Sequence, residues 1–222
     1  MAGDALARWP GAASSPAGPQ AAATTRPGDA SLAARDIEAT FVRRTVGAYQ
    51  RLSNGDRVAP GDRLSLEFRT PRREWVYVLN ADDRGETFLL FPQPSFDVAN
   101  PIAAESLQVL PGPIGGRENA WTVTSRGGHE RFLVVASPAP VPEMEAELRR
   151  LPPVRPGRPI QYARISAQAL ELMRGVGGVA PLPADSQRGR SGAFERLAAL
   201  ADRDGGARGL WVRQVTLENP LR

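Results

Sequence analysis

The sequence predicts a mainly β chain, α+β overall, with an antiparallel β-sandwich-like core and about three helices between the penultimate and last strands. Residues 64–68 alternate apolar and polar side chains, which is the period-two pattern of a half-buried strand. Several more short apolar runs follow it, separated by residues that favour turns. After Pro138 the spacing of apolar residues changes from that of strands to that of helices.

The composition divides the chain into two regions. Residues 1–35 are rich in Ala, Pro, Gly and Ser, and they offer too little apolar surface to offset the entropy cost of ordering, so we expect a disordered tail or linker. Residues 36–219 are expected to form a single β-rich domain that includes a helical excursion at about residues 140–205. The apolar run Leu210–Leu217 is predicted to be a last strand that returns to the same sheets.

The first half of the domain is predicted to be strands joined by turns. One or two short strands fall between residues 41 and 52, and turns follow at Ser53–Asp56 and Ala59–Asp62, where Asn-Gly and Pro-Gly pairs favour bends. Trp75–Leu79 and Thr87–Phe91 are apolar on both faces, so we expect this hairpin in the middle of a sheet.

Further strands are predicted between residues 106 and 136. A short strand, Ser106–Leu110, ends at a Pro-Gly-Pro sequence. Trp121–Thr124 and Phe132–Ala136 are predicted to form a second hairpin around Arg126-Gly127-Gly128, because two apolar runs separated by a glycine-rich segment are typical of hairpins.

Three helices are predicted after residue 140. The first begins at Pro142, since proline is tolerated in a first helical turn. The second lies around residues 165–173, and Ser191 caps the third, which Gly205 ends. The apolar positions of the three helices are, in order, Met144, Leu148 and Leu151; Ile165, Ala169, Leu172 and Met173; and Phe194, Leu197, Ala198 and Ala201.

The absence of certain residue types excludes several classes of chemistry. All 28 basic residues are Arg, and the chain has no Lys, no Cys and one His. A P-loop and a pyridoxal enzyme each need a Lys, while Cys/His zinc sites and thiol nucleophiles need residues that this chain lacks. Only His129 is available as the base of a Ser-His-acid triad. We therefore expect no cofactor, no metal site and no enzymatic activity.

The charge distribution argues against a nucleic-acid partner. The net charge is +4, and the excess lies after Ser137, where 13 Arg face 9 acidic residues. The short pairs Arg43-Arg44, Arg72-Arg73 and Arg149-Arg150 do not form the basic stripe that nucleic-acid domains present. No apolar run approaches the roughly 20 residues that cross a bilayer, and the first 30 residues lack the apolar region of a signal peptide. The sequence therefore predicts a cytoplasmic location by default.

Four short motifs follow one another between residues 55 and 140. Val58–Leu64 is a Gly-Asp strand entry, and Trp75–Asn80 with Phe88–Pro92 is an apolar hairpin. Asn100–Pro111 follows this hairpin, and Gly128–Ser137 is a later strand that ends in Ser before Pro. In this order the motifs resemble those of a bacterial family known as domain of unknown function 4384. The resemblance implies a β-rich module without activity of its own. Family members are often attached to Ser/Thr kinases, caspase-like peptidases or zinc-finger anti-sigma regions, so it also implies protein partners.

Three acidic features were weighed as sites. Asn80–Glu86 has some oxygen ligands of a calcium loop, but Arg84 and Phe91 occupy two positions where that loop needs oxygens, so a hairpin turn is favoured. His129 and Glu130 are adjacent in a strand and therefore point to opposite faces, which argues against an acid-base pair. Acids in turns such as Asp56, Asp62 and Asp82 are ordinary turn formers.

The candidate partner contact is the proline-bounded loop that contains Phe96, Asp97 and Asn100. Aromatic side chains on loops often anchor partners, although Phe96 packed under its own loop as core is the competing interpretation. The sequence thus predicts a non-catalytic binding, sensor or accessory module of a bacterial signalling or envelope-associated system, with a kinase or peptidase system as the expected partner. The alternative is a carboxylate-based hydrolase acting, for example, on glycans.

Overall fold

Ten strands and one helix make up the described part of the chain. A computed structural model describes residues 36–45, 47–81, 86–125, 127–151, 162–166 and 209–220. The elements are β1 (Glu38–Thr45), β2 (Ala48–Leu52), β3 (Arg63–Arg69), β4 (Trp75–Ala81), β5 (Thr87–Phe91), β6 (Gln108–Leu110), β7 (Trp121–Thr122), β8 (His129–Ser137), α1 (Pro142–Leu148), β9 (Ala163–Ile165) and β10 (Trp211–Glu218).

The strands form two antiparallel sheets. The first sheet has the order β2-β1-β3-β6, and β7 pairs with the other end of β3; the second has the order β10-β8-β4-β5-β9. The prediction of a mainly β, antiparallel fold is confirmed. The hairpin β4–β5 lies in the interior of the second sheet, as its two apolar faces predicted.

A first apolar core lies between the two sheets. The first sheet contributes Phe41 from β1 and the alternating residues of β3, and the second contributes residues of β4, β8 and β10. The rings of Phe41 and Phe132 meet across the two sheets with their centroids 4.5 Å apart. Both rings are buried, so this contact joins the centre of one sheet to the centre of the other. Buried side chains of this core include Phe41, Leu64, Leu66, Phe68, Val76, Val78, Phe91, Trp121, Phe132, Val134, Val215 and Leu217.

A second apolar core covers the opposite face of the second sheet. Alternate residues of β4 and β8, including Tyr77, Leu79 and Leu133, pack there against Met144 of α1. The Tyr77 hydroxyl accepts a hydrogen bond from the Val141 backbone N–H (3.0 Å) and donates one to a Glu145 carboxylate oxygen (2.8 Å). Burial raises the pKa of Tyr77 above its usual value, and the neighbouring Glu145 carboxylate acts in the same direction. Tyr77 therefore fixes the start of the helix on the sheet.

The last strand, β10, forms hydrogen bonds along both of its edges. Trp211 to Glu218 pair with Ala136 to His129 of β8, which confirms that the chain returns to the same sheets. On its other edge, β10 receives hydrogen bonds from the turn after β2: Gly55 and Val58 donate their N–H groups to carbonyls of Thr216 and Glu218. This turn belongs to the strands of the first sheet, so β10 ties the two sheets together.

The predicted second hairpin is wrong. β7 pairs with Arg63 and Leu64 of β3 in the first sheet, whereas β8 pairs with β4 and β10 in the second sheet. Gly127 and Gly128 do have positive φ angles of 86° and 91°, as a turn would require. Here the chain passes through them from one sheet to the other. β8 pairs over more residues with β4 and β10 than it could with the short β7, and β7 pairs with β3 instead.

The helical prediction is only partly correct. The first helix is present as α1, with Pro142 at its start and Met144 buried. The second was predicted to include Ile165, but this residue lies in β9, whose three residues pair with Thr87–Leu89 of β5. The other positions of the second helix, the whole third helix and the predicted tail (residues 1–35) lie outside the described residues. The described part thus has one short helix, and it is not long and apolar enough to cross a membrane.

A buried acid lies at the entry to β4. Glu74 is 1% exposed, and its backbone pairs with Ile102 through hydrogen bonds of 3.1 and 2.8 Å. One carboxylate oxygen accepts a hydrogen bond from Arg72, while the other has no partner among the described residues. Burial raises the pKa of Glu74, although the Arg72 guanidinium opposes this shift.

We predict that Tyr77→Phe lowers the free energy of unfolding by about 1–3 kcal/mol, because the buried Val141 N–H loses its acceptor. The matched control is Tyr49→Phe, since Tyr49 is 50% exposed and should cost at most about 0.5 kcal/mol. Urea unfolding followed by far-UV circular dichroism measures both. Equal losses for the two variants would contradict the role given to Tyr77.

We predict that Glu74 makes the fold less stable as the pH rises. A raised folded-state pKa means that the folded chain holds the proton where the unfolded chain has lost it, so the stabilisation is present below the unfolded pKa and disappears above the folded one. Relative to Glu74→Gln, the wild type should therefore lose stability as the pH rises from about 4, the ordinary pKa of a Glu carboxyl, through the raised folded-state pKa. The control is Glu118→Gln at an exposed position. A constant difference between wild type and Glu74→Gln across this range would refute the assignment.

Candidate functional site

A cleft of about 710 Å³ opens where the chain crosses from the first sheet to the second. One side is formed by Leu64 of β3 and by residues 121–125, and the other by the ends of β4, β5 and β8. We call this site the crossover cleft. It is lined by Leu64, Asn80, Phe88, Leu90, Trp121, Thr122, Val123, Thr124, Ser125, Gly127, His129, Glu130, Phe132 and Tyr162.

The cleft exists because β7 is short. After Thr122 the chain keeps only a brief contact with the turn before β3: Val123 donates its N–H to the carbonyl of Asp62 and accepts from Gly61 (2.9 and 2.8 Å). It then leaves the first sheet and enters β8 at His129. The end of the core is therefore covered by one crossing segment rather than by two paired strands.

The walls of the crossover cleft are mainly aromatic and aliphatic. Trp121 and Phe132 are buried and belong to the core between the sheets, whereas Phe88 and Tyr162 are half-buried at its margin. The Arg164 guanidinium lies over the Phe88 ring, 5.8 Å from its centroid. Burial raises the pKa of the Tyr162 hydroxyl. A concave site of this volume that combines apolar walls with polar side chains is typical of ligand pockets.

A polar cluster around Glu130 forms the other part of the lining. Glu130 has the same orientation along β8 as the core residue Phe132, so its carboxylate points between the sheets and is 7% exposed. Ser125 Oγ donates a hydrogen bond to one carboxylate oxygen, and Asn80 Nδ2 donates to the other at 3.2 Å. Asn219, after β10, donates from Nδ2 to Ser125 Oγ at 2.8 Å. Four separate segments thus meet at this carboxylate.

Two buried polar atoms around the cleft have no hydrogen-bond partner within the described ranges. They are Nε1 of Trp121, which lines the cleft and is 5% exposed, and Oδ1 of Asn219, which is fully buried and bonds Ser125 through Nδ2. Buried polar groups are almost always hydrogen-bonded, because leaving one unpaired costs free energy. Each of the two residues therefore has an unused polar atom.

The predicted contact loop lies elsewhere and is anchored to the fold. Phe96 is 9% exposed, and its ring is stacked on Phe91 with centroids 6.4 Å apart. The Asp97 carboxylate accepts hydrogen bonds from the N–H groups of Gly115 and Gly116 (3.3 and 2.8 Å). Asn100 Oδ1 accepts one from the Val76 N–H at 2.9 Å. All three side chains therefore support the loop from within, and their contact with a partner stays a prediction.

A tight contact between the Gly112 backbone and the Val98 side chain holds the same loop. Gly112 has a φ angle of 87°, and a Cβ atom there would lie 2.2 Å from the Val98 side chain. Only glycine fits this position without a shift of the loop.

The other acidic features weighed from the sequence have structural roles where they are described. Asp56 and Asp62 each accept a hydrogen bond from the backbone N–H three residues earlier, at 2.7 and 3.0 Å, which confirms them as turn formers. His129 is exposed at the start of β8 and lines the cleft next to Glu130. Residues 82–85 of the calcium-like segment lie outside the described residues. Over the described ranges, no group of three or more His, Asp or Glu side chains is arranged to hold a metal ion.

Sequence reasoning missed the crossover cleft because its residues are far apart in the chain. Asn80, Trp121 and Ser125 gave no signal of a common site, and Glu130 was considered only together with His129. One signal was present: Glu130 is an acid at an inward-facing position of an otherwise apolar strand.

The sequence comparison gives a family for the central part of the chain. Residues 57–140 match the family described as "Domain of unknown function (DUF4384)". This segment is a DUF4384 domain. Comparisons with curated proteins and with solved structures gave no significant match.

The DUF4384 segment covers β3 to β8 and most of the crossover cleft. The flanking chain completes both sheets. β1 and β2, before the segment, extend the first sheet beyond β3, and β10, after it, pairs along the whole of β8. The folded unit is therefore larger than the matched segment.

We predict that Phe96→Ala lowers the free energy of unfolding by about 3 kcal/mol, because a buried ring and its stacking on Phe91 are lost. Leu107→Ala is the control, since Leu107 precedes β6 and is 58% exposed. It should change stability by at most about 0.5 kcal/mol. If Phe96→Ala leaves the urea midpoint unchanged and weakens partner binding, Phe96 is a contact residue rather than core.

Proposed function

We propose that this protein is a non-catalytic binding module that acts through a protein partner and receives part of that partner in the crossover cleft. The observation that supports this is the cleft itself: a concave, mainly apolar site with one cluster of polar side chains at Glu130. Pockets of this kind bury a ligand's apolar surface and use a few polar groups to orient it.

The lining offers little for catalysis by paired carboxylates. Glycoside hydrolysis of that type needs two carboxyl groups about 5 to 10 Å apart. Among the described residues that line the cleft, Glu130 is the one carboxylate. We therefore favour binding over the hydrolase that the sequence left open. The proposal extends to an accessory role in signalling, for which the family resemblance suggests a kinase or peptidase system as the partner.

The test uses a side chain that fills the cleft. Thr124 is exposed and lines the cleft, so Thr124→Trp should occupy its entrance without disturbing a buried residue. Thr45→Trp is the matched control, because Thr45 is an exposed threonine at the end of β1 and does not line the cleft. The full chain and both variants are immobilised and exposed to lysate of the native host, and retained proteins are identified by mass spectrometry.

We expect a protein that is retained by the wild type and by Thr45→Trp but lost with Thr124→Trp. The same proteins retained by all three chains would refute the cleft as the binding site. Hydrolysis of any member of a glycan panel that is abolished by Glu130→Gln would instead establish the catalytic alternative.

A further inference from the structure

We propose that the crossover cleft binds a cationic side chain of the partner, an arginine or lysine, with Glu130 as its counter-charge and the aromatic walls around its apolar stem. This inference rests on the proposed function, and it adds the chemical class of the group that is bound.

The charge of Glu130 is uncompensated among the described residues. Its two hydrogen-bond donors, Ser125 and Asn80, are neutral, and no cationic side chain of the described part of the chain pairs with it. A carboxylate offers about four acceptor positions, so two remain for a ligand. A buried charge is costly unless it is paired, and a cation that enters the cleft would supply the missing partner.

The neighbouring cations are held elsewhere. Arg164 forms a salt bridge with Glu86 at 3.2 Å, and Arg131, the next residue of β8, points to the opposite face of the strand. His129 is exposed and lines the cleft, but it forms no hydrogen bond or ion pair with Glu130. None of these three groups pairs with the Glu130 carboxylate.

Aromatic side chains provide a second feature that favours a cation in the cleft. Phe88, Trp121, Phe132 and Tyr162 surround the space next to Glu130. Cations bind favourably over aromatic rings, most strongly over Trp. The Phe88 ring already carries a guanidinium on one side, that of Arg164 at 5.8 Å. An arginine or lysine stem would bury its methylene groups against these rings while its charged end reaches the carboxylate.

The polar part of the cleft lining favours a peptide as the source of the cation. Thr122 and Thr124 are exposed and line the cleft. A peptide that presents its basic side chain to Glu130 brings backbone N–H and C=O groups with it, and these can pair with the threonine hydroxyls. A free amine or guanidine lacks this backbone.

The experiment compares charged and neutral forms of one peptide on the full chain. The probes are acetyl-Gly-Ala-Arg-Ala-Gly-amide, the same peptide with citrulline in place of arginine, and free agmatine. Citrulline keeps the shape and removes the charge. Binding is measured by isothermal titration calorimetry at low salt. The variants are Glu130→Gln and, as the matched control, Glu118→Gln, an exposed acid that does not line the cleft.

We expect the wild type and Glu118→Gln to bind the arginine peptide at least tenfold more tightly than the citrulline peptide. Glu130→Gln should bind the two peptides equally. Equal binding of both peptides by the wild type would overturn the proposal, and this comparison does not depend on how well any variant folds. If agmatine binds as tightly as the arginine peptide, the inference that the cation belongs to a protein is wrong.

The outcome is separable from that of the proposed function. If Thr124→Trp abolishes capture of a partner while arginine and citrulline peptides bind alike, the module binds at the cleft but does not select a cation. If the arginine preference is found and depends on Glu130, the cleft is a cation site whichever partner is captured.

Discussion

The passage of the chain from β7 to β8 is the constraint on which the rest of the structure depends. β7 adds to β3 in the first sheet over two residue pairs, and β8 then pairs with β4 and β10 through most of the second sheet. The passage from β7 to β8 thereby links the two sheets at one end. The same passage orients Phe132 toward Phe41 and places Glu130 at the end of the core between the sheets. The core between the sheets and the cleft both result from the one passage of the chain from the first sheet to the second.

The chemistry of the site follows from this position. A carboxylate at the end of an apolar core has lost most of its water but still borders an open space. It is held by a serine, an asparagine and, through the serine, a second asparagine, none of which carries charge. Neutral donors fix the orientation of the carboxylate without cancelling its charge, so the field of the carboxylate remains available inside a space with aromatic walls.

The sequence was sufficient to predict where most strands lie, but it was insufficient to predict which strands pair with each other. The alternation in β3 and the fully apolar hairpin β4–β5 are local patterns, and local patterns decide which residues face a core. The pairing of β7 depends instead on which strand edges compete for β8, and these edges are distant in the sequence. β8 forms long ladders with β4 and β10, and these are more favourable than a short hairpin of β7 and β8. Ile165 shows the same limit, because its spacing fits a helix while the open edge of β5 makes it a strand residue. The candidate site could not be predicted for this reason, since Asn80, Ser125, Glu130 and Asn219 meet only through the pairing.

The strands outside the matched segment affect whether the domain can be excised in soluble form. β1 covers seven residues along one side of β3, and β10 covers eight along one side of β8. A fragment limited to residues 57–140 would leave both rows of backbone N–H and C=O groups bare. Bare rows of this kind recruit strands from other molecules and lead to aggregation. The flanking strands β1 and β10 thus protect the edges of β3 and β8, and an excised domain must include them to remain soluble.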